Sequence, residues 1–207
     1  SDSFGKAFAG YKVAAKKIES FSEFYIDYSN YMKAWSSVEN AKLSHSNNDY
    51  PSAMRNYQKA SSLLGQSKTW NYLSLNFYAW SILEQAEDFS RKENSKKSIK
   101  SFENAIRYLR ESKKNLESEI EKISRRDEKS LVDNLIEASE ARESFSLARI
   151  AIEEAKIFDK KGKHILSSDK YGEAAKLYQK ILANYPEQIR WEAKPLVFLC
   201  QAWEKMK

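Results

Sequence analysis

The chain has 207 residues, 42% of them hydrophobic and 31% charged, and carries a formal net charge of +6. This balance excludes wholesale disorder, and with only 5 Gly and 3 Pro to punctuate the backbone it favours long helices over a sheet with many turns. A single cysteine, Cys200, excludes an internal disulfide framework, and no apolar run approaches the roughly 20 residues of a membrane-spanning helix.

Helical periodicity is nearly continuous. Phe4, Phe8, Tyr11 and Ala15 recur at three and four, and Phe21, Phe24, Tyr28, Tyr31 and Trp35 extend the stripe with large rings that read as core. Ser20 or Ser22 is placed to cap a new helix between them, so 1–33 reads as N-terminal aromatic helices. Next, 34–46 reads as a helix, Asn47-Asn48-Asp49 as a turn and 50–64 as the partner helix, a hairpin over 34–66. Asp49 suits the N-cap, Pro51 the first turn and Gly65 the stop. Ser67 caps an aromatic helix of Trp70, Leu73, Phe77, Trp80 and Leu83, which fades at the polar stretch 91–94.

From 95 to 125, Ile99, Phe102, Ile106, Leu109, Leu116, Ile120 and Ile123 keep a heptad, with Lys113 in its one polar slot. The facing helix carries Leu131, Leu135, Ala138, Phe145, Ala148, Ile152, Ala155 and Phe158. Together they predict a long antiparallel hairpin with Lys113 and Arg142 exposed near its tip. In 155–186, Gly162 is expected to permit close helix packing, Asp169 to cap the next helix and Pro186 to end it. A capping helix within 187–207 carries Trp191, Leu196, Leu199 and Trp203, with Pro195 expected to kink or split it.

One phrase occurs twice: Asn48-Asp49-Tyr50, Ala53 and Tyr57-Gln58-Lys59-Ala60, then Asp169-Lys170-Tyr171, Ala174 and Tyr178-Gln179-Lys180-Ile181. It resembles the tetratricopeptide repeat, a unit of about 34 residues made of two antiparallel helices. Phe158, Gly162, Tyr171, Ala174, Tyr178, Ile181 and Pro186 fall at the family's spacing in the later copy. Ala41, Tyr50, Ala53, Tyr57 and Ala60 do so in the first, with Gly65 replacing the proline. A degenerate middle copy uses Ile82, Ala86, Ser98, Phe102 and Ala105, within 67–154. The phrase is also similar to the microtubule-interacting and trafficking domain, a three-helix bundle that binds helical peptides of membrane-remodelling proteins. Its recurrence favours the repeat reading. The resemblance implies one elongated all-α domain over 1–207: stacked antiparallel helical hairpins, tetratricopeptide-like, with one extended central helical hairpin.

The function implied is a non-catalytic adaptor or scaffold that binds a peptide or helical segment in a groove of stacked helices. In the family the first helix of each pair lines the concave face. That assigns Trp35, Lys42 and His45 from the first copy, Lys156, Asp159, Lys160 and Lys163 from the last, and Arg190 and Lys194 from the closing helix. Such a cationic set suits an acidic peptide or a C-terminal carboxylate. Asp159 and Lys163 depart from the family's carboxylate clamp, so chaperone-tail binding is not carried over.

Enzyme readings find little. His45 and His164 are the only histidines and neither has a metal-ligand spacing, Cys200 lacks a local histidine, and no Gly-rich phosphate loop is present. No catalytic residue, metal or cofactor is expected. Glu117, Glu119, Glu121, Glu153 and Glu154 read as solvated helix pairs. The competing class is nucleic-acid binding. Arg91-Lys92, Lys96-Lys97, Lys100, Arg107, Arg110, Lys113-Lys114 and Arg125-Arg126 form basic clusters, and Arg107, Arg110 and Lys114 share one face. Glu93, Glu103, Glu111, Glu117 and Glu119 interleave with them. Self-association through the aromatic terminal helices, giving a homo-oligomer or a regulatory domain of a larger protein, is a further alternative. The expected location is the cytoplasm, and the start at Ser1 reads as that of a processed or excised piece.

Overall fold

Starved of breakers, the backbone satisfies its donors and acceptors within helices. A computed structural model of the chain describes residues 2–186 and 193–206. The helices are α1 (Asp2–Lys17), α2 (Ser22–Ser46), α3 (Tyr50–Gly65), α4 (Ser74–Arg91), α5 (Ser95–Ile120), α6 (Arg126–Asp159), α7 (His164–Asn184) and α8 (Ala193–Met206). Single tighter turns sit at Glu19–Phe21 and Asn71–Leu73, and no strand occurs among the described residues. The fold is all-α, built of helices packed on their neighbours in sequence: α1 on α2 and α2 on α3, then α5 on α6, α6 on α7 and α7 on α8. The expected break before Ala34 is absent: α2 runs unbroken from Ser22, so the aromatic segment and the first helix of the hairpin are one element. Pro195 lies in the first turn of α8 as described, where a missing N–H costs nothing; the residues 187–192 before it fall outside the described residues. Trp191 falls outside the described residues.

Two compact units divide within α4, Ser1–Glu84 and Gln85–Lys207. The first is held by rings. Tyr31 lies 4.3 Å from Trp70, Tyr11 4.6 Å from Tyr28, and Phe77 touches Trp35 and Trp80 edge-on at 5.6 and 5.3 Å. Ala34, Ala41, Ala53 and Ala60 are fully buried between α2 and its neighbours, and only side chains that small let the backbones approach so closely.

In the second unit, Phe102, Leu109 and Leu116 of α5 form the heptad seam against α6, as the spacing predicts. α6 is covered by α5 and by α7, so its buried face is broad and rich in small residues: Ala138, Ser139, Ala141, Ser146, Ala148, Ala151 and Ala155. That double coverage corrects the expectation of an exposed polar tip. Arg142 is buried, and Lys113 is half-buried and bonded across the hairpin to Glu140. α7 and α8 close the unit through Ala174, Tyr178, Ile181, Val197 and Cys200.

One turn recurs three times among the described residues. Its middle residue has positive φ: Asn48 at 58°, Glu93 at 55° and Gly162 at 68°. The next residue, Asp49, Asn94 or Lys163, sits at φ near −92° and donates its N–H five residues back, to Ser44, Phe89 or Phe158. These are Schellman-type closures that satisfy the last carbonyls of one helix while starting another. Asp49 and Asn94 also cap, accepting from Ser52 N at 3.1 Å and Lys97 N at 3.3 Å.

Counted from this turn, the same positions are buried in each copy. Before it stand Ala34, Val38 and Ala41, then Ala79, Leu83 and Ala86, then Ala148, Ile152 and Ala155. After it stand Ala53, Tyr57 and Ala60, then Ser98, Phe102 and Ala105, then Ser167, Tyr171 and Ala174. The middle copy keeps the register read from the sequence. The last does not: α7 starts at His164, so Asp169 is inside a helix and caps nothing. Gly162 is likewise no packing glycine. A Cβ there would meet nothing within 4 Å, and its use is the positive φ.

Glu93 holds the same left-handed conformation at a steric cost that Gly162 avoids. Glu93→Gly is therefore expected to raise stability by up to about 1 kcal/mol, and Gly162→Ala to lower it by about that much, in urea melts.

Candidate functional site

The turn register brings polar residues into equivalence that sequence distance hides. Glu39, Glu84 and Glu153 hold the same position on α2, α4 and α6, and His45, Ser90 and Asp159 share another near the helix ends. Within the first unit, Glu84 meets His45: both carboxylate oxygens lie 2.9–3.0 Å from Nδ1, and the Tyr50 ring stands edge-on to the imidazole at 5.7 Å. Within the second, Ser90, at the His45 position, donates to Glu153 Oε1 at 2.6 Å. The same contact thus joins successive first helices twice, with a serine in place of a histidine.

Around Glu153 a denser network forms. Arg149 grips Glu87 with two parallel bonds, Nε at 2.8 Å and Nη2 at 2.6 Å, and Nη2 also donates to Ser90 Oγ at 2.9 Å. Lys156 Nζ reaches Glu153 Oε1 at 2.6 Å, and the Arg149 guanidinium lies 5.8 Å from the Phe102 ring centre. Glu153 is 0% exposed, which corrects the reading of Glu153 as a solvated helix carboxylate. It is buried because α6 is covered on two sides.

Burial works against ionisation of Glu153, but Lys156, Ser90 and Ser95 outweigh it and hold the carboxyl below its ordinary 4.5. Because the folded value is depressed, the stability it contributes is fully present above the unfolded value. That stability is lost as pH falls through the folded one. Glu153→Gln is expected to be less stable than the parent at about pH 7, with the gap closing as pH falls below the ordinary carboxylate range in denaturant melts.

Burial also opposes the charge on Arg149, but the Glu87 carboxylate facing it prevails and raises its value. Burial pushes the Tyr178 phenol well up, with Arg149 partly offsetting, and pushes the Cys200 thiol up to about 11. Cys200 is therefore a protonated core thiol at neutral pH. The chemistry of this cluster is fixation: opposed charges and the Ser90 hydroxyl hold α4 and α6 in one register.

The residues expected to line a groove are placed as follows. Trp35 is half-buried among Phe4, Tyr31 and Phe77, part of the aromatic core. Lys42 is exposed and bonded to Glu39 at 2.7 Å, and His45 holds Glu84. Lys156 serves Glu153, while Lys160 is exposed with Glu93 at 3.2 Å. Lys163 is exposed at the N-cap of α7, Asp159 lies 3.2 Å from His164, and Lys194 is exposed on α8. Arg190 lies outside the described residues.

The structure thus brings Lys156, Asp159, Lys160 and Lys163 together at one helix end, and puts Lys42 and His45 at another. Sequence reasoning missed Arg149, Glu87 and Glu84. Aligning the three turns, rather than the two aromatic phrases, would have marked the recurring glutamate. Among the described residues, no group of His, Cys, Asp and Glu is placed to hold a metal, and no helix is long and apolar enough to cross a membrane.

These features define an all-helical protein of recurring hairpins. No family model, curated protein or solved structure matches the chain.

Proposed function

We propose that the chain is a non-catalytic interaction module of tetratricopeptide-like build that holds a segment of another protein. The observation that carries this reading is the thrice-repeated turn with its equivalent buried positions. Within each unit it packs helices against one another, with buried polar groups spent on joining them. The partner-binding surface is the turn between α6 and α7. There Lys160, Lys161 and Lys163 are exposed beside Ile165, which is 79% exposed, and Leu166. Cations next to aliphatic side chains suit an acidic segment that carries an apolar anchor.

The test is a nuclease-treated capture from source lysate, washed at low and high salt. The parent is compared with Lys160→Glu/Lys163→Glu, and the retained proteins are identified by mass spectrometry. The reading expects a protein held by the parent in high salt and lost by the variant, with folding intact by circular dichroism. An identical set on both would remove this turn as the binding surface.

A further inference from the structure

The basic clusters of α5 separate into two sets once the hairpin is formed. Lys113 is consumed by Glu140 and Glu117, and Arg110 by Glu143 at 2.6 Å. By contrast Lys96, Lys100, Arg107 and Lys114 are exposed and have no carboxylate within 4 Å among the described residues. With Glu103 and Arg110 they step along the solvent side of α5 by four, three, four, three and four, one straight row about 27 Å long at 1.5 Å per residue. The Arg107 guanidinium lies 4.7 Å from the Tyr108 ring centre, a contact that steadies its head at the surface.

Such a row is complementary to a partner with regularly spaced negative charge. A bilayer is the poorer match. Helices that lie in a membrane surface bury an apolar face there, whereas the apolar face of α5 is occupied by α6. α5 also carries no exposed large hydrophobic residue. The row is straight and carried on one helix, which fits a rigid polyanion better than a flexible strand that must be ordered on binding.

We propose that the solvent face of α5 binds the phosphodiester backbone of duplex nucleic acid, without reading its sequence. The contacts are charge to phosphate, made by Lys96, Lys100, Arg107 and Lys114. Glu103, in the middle of the row, weakens them.

Fluorescence anisotropy of a labelled DNA duplex with the full chain tests this. Four phosphate contacts give a log–log salt slope of about −3.6, so affinity falls about a hundredfold between about 50 and about 200 mM salt. Lys100→Glu/Arg107→Glu/Lys114→Glu is expected to abolish most binding and flatten the slope to about −1. The charge-matched control Lys6→Glu/Lys59→Glu/Lys68→Glu keeps the parent's slope, and Glu103→Lys tightens binding.

No binding by the parent at low salt would overturn the proposal, as would a triple variant on α5 that binds like the parent. Co-sedimentation with phosphatidylserine–phosphatidylcholine vesicles, without duplex binding, would assign the row to a membrane surface instead.

Discussion

Arg149→Met is expected to destabilise the chain by about 3–5 kcal/mol, the usual cost of removing one partner from a buried ion pair. Arg149 and Glu87 are 13% and 14% exposed, so water replaces the lost bonds poorly. The variant leaves the Glu87 carboxylate facing an apolar chain and takes one of the donors from Ser90. The double variant Arg149→Met/Glu87→Leu removes both charges together and should recover most of the loss, because a well-packed apolar pair is often as stable as the ions it replaces. Urea denaturation of the parent, the single and the double distinguishes these cases. A single variant as stable as the parent would show that the network is not fixed in solution.

Phe77→Ala should cost a similar amount, about 3–5 kcal/mol, in the other unit. Phe77 is 0% exposed and lies at the meeting point of Trp35, Tyr57 and Trp80, with ring centres 5.6, 6.4 and 5.3 Å away. Deleting the ring opens a cavity that rigid aromatic neighbours close poorly, and it also removes their edge-to-face attraction. Phe77→Leu, which keeps most of the volume, should cost clearly less. Thermal melts following tryptophan fluorescence measure both, and equal losses from the two variants would argue against tight packing at this point.

Much of this fold is legible in the residues because local and tertiary signals agree. Asp49 caps, Pro51 sits in the first turn of α3, and the Ile99–Leu116 heptad finds its facing helix. The last copy misleads for a physical reason. A helical face repeats nearly every seven residues, so shifting the aromatic phrase by two turns leaves the same side inward. Ala174, Tyr178 and Ile181 are all buried, as the sequence register requires, yet Ser167, Tyr171 and Ala174 are the positions equivalent to Ala53, Tyr57 and Ala60. The deciding signal was Gly162, whose freedom at positive φ marks a turn.

The candidate site was less legible. Lys156 and Lys160 read as groove cations; Lys156 bonds to Glu153 one turn back on its own helix, and Lys160 to Glu93, which lies 67 residues away in sequence. Trp35 reads as core from its stripe and as a groove residue only through the family resemblance; its ring contacts come from α1, α2 and α4, which a single helix stripe does not reveal. The row on α5 was visible in part, through Arg107, Arg110 and Lys114. Only the pairing of Arg110 and Lys113 with α6 separates the cations used for folding from those that remain.

The turn register is the central structural claim, and proline substitution tests it most directly. Ile165 is equivalent to Pro51, in the first turn of α7 where its N–H has no helical partner, whereas Asp169 is inside the helix. Ile165→Pro is expected to melt within about a degree or two of the parent and Asp169→Pro to lose about 3 kcal/mol or more. The opposite order, with Ile165→Pro unfolding the chain and Asp169→Pro tolerated, would place the turn at Asp169 and contradict the repeat described above.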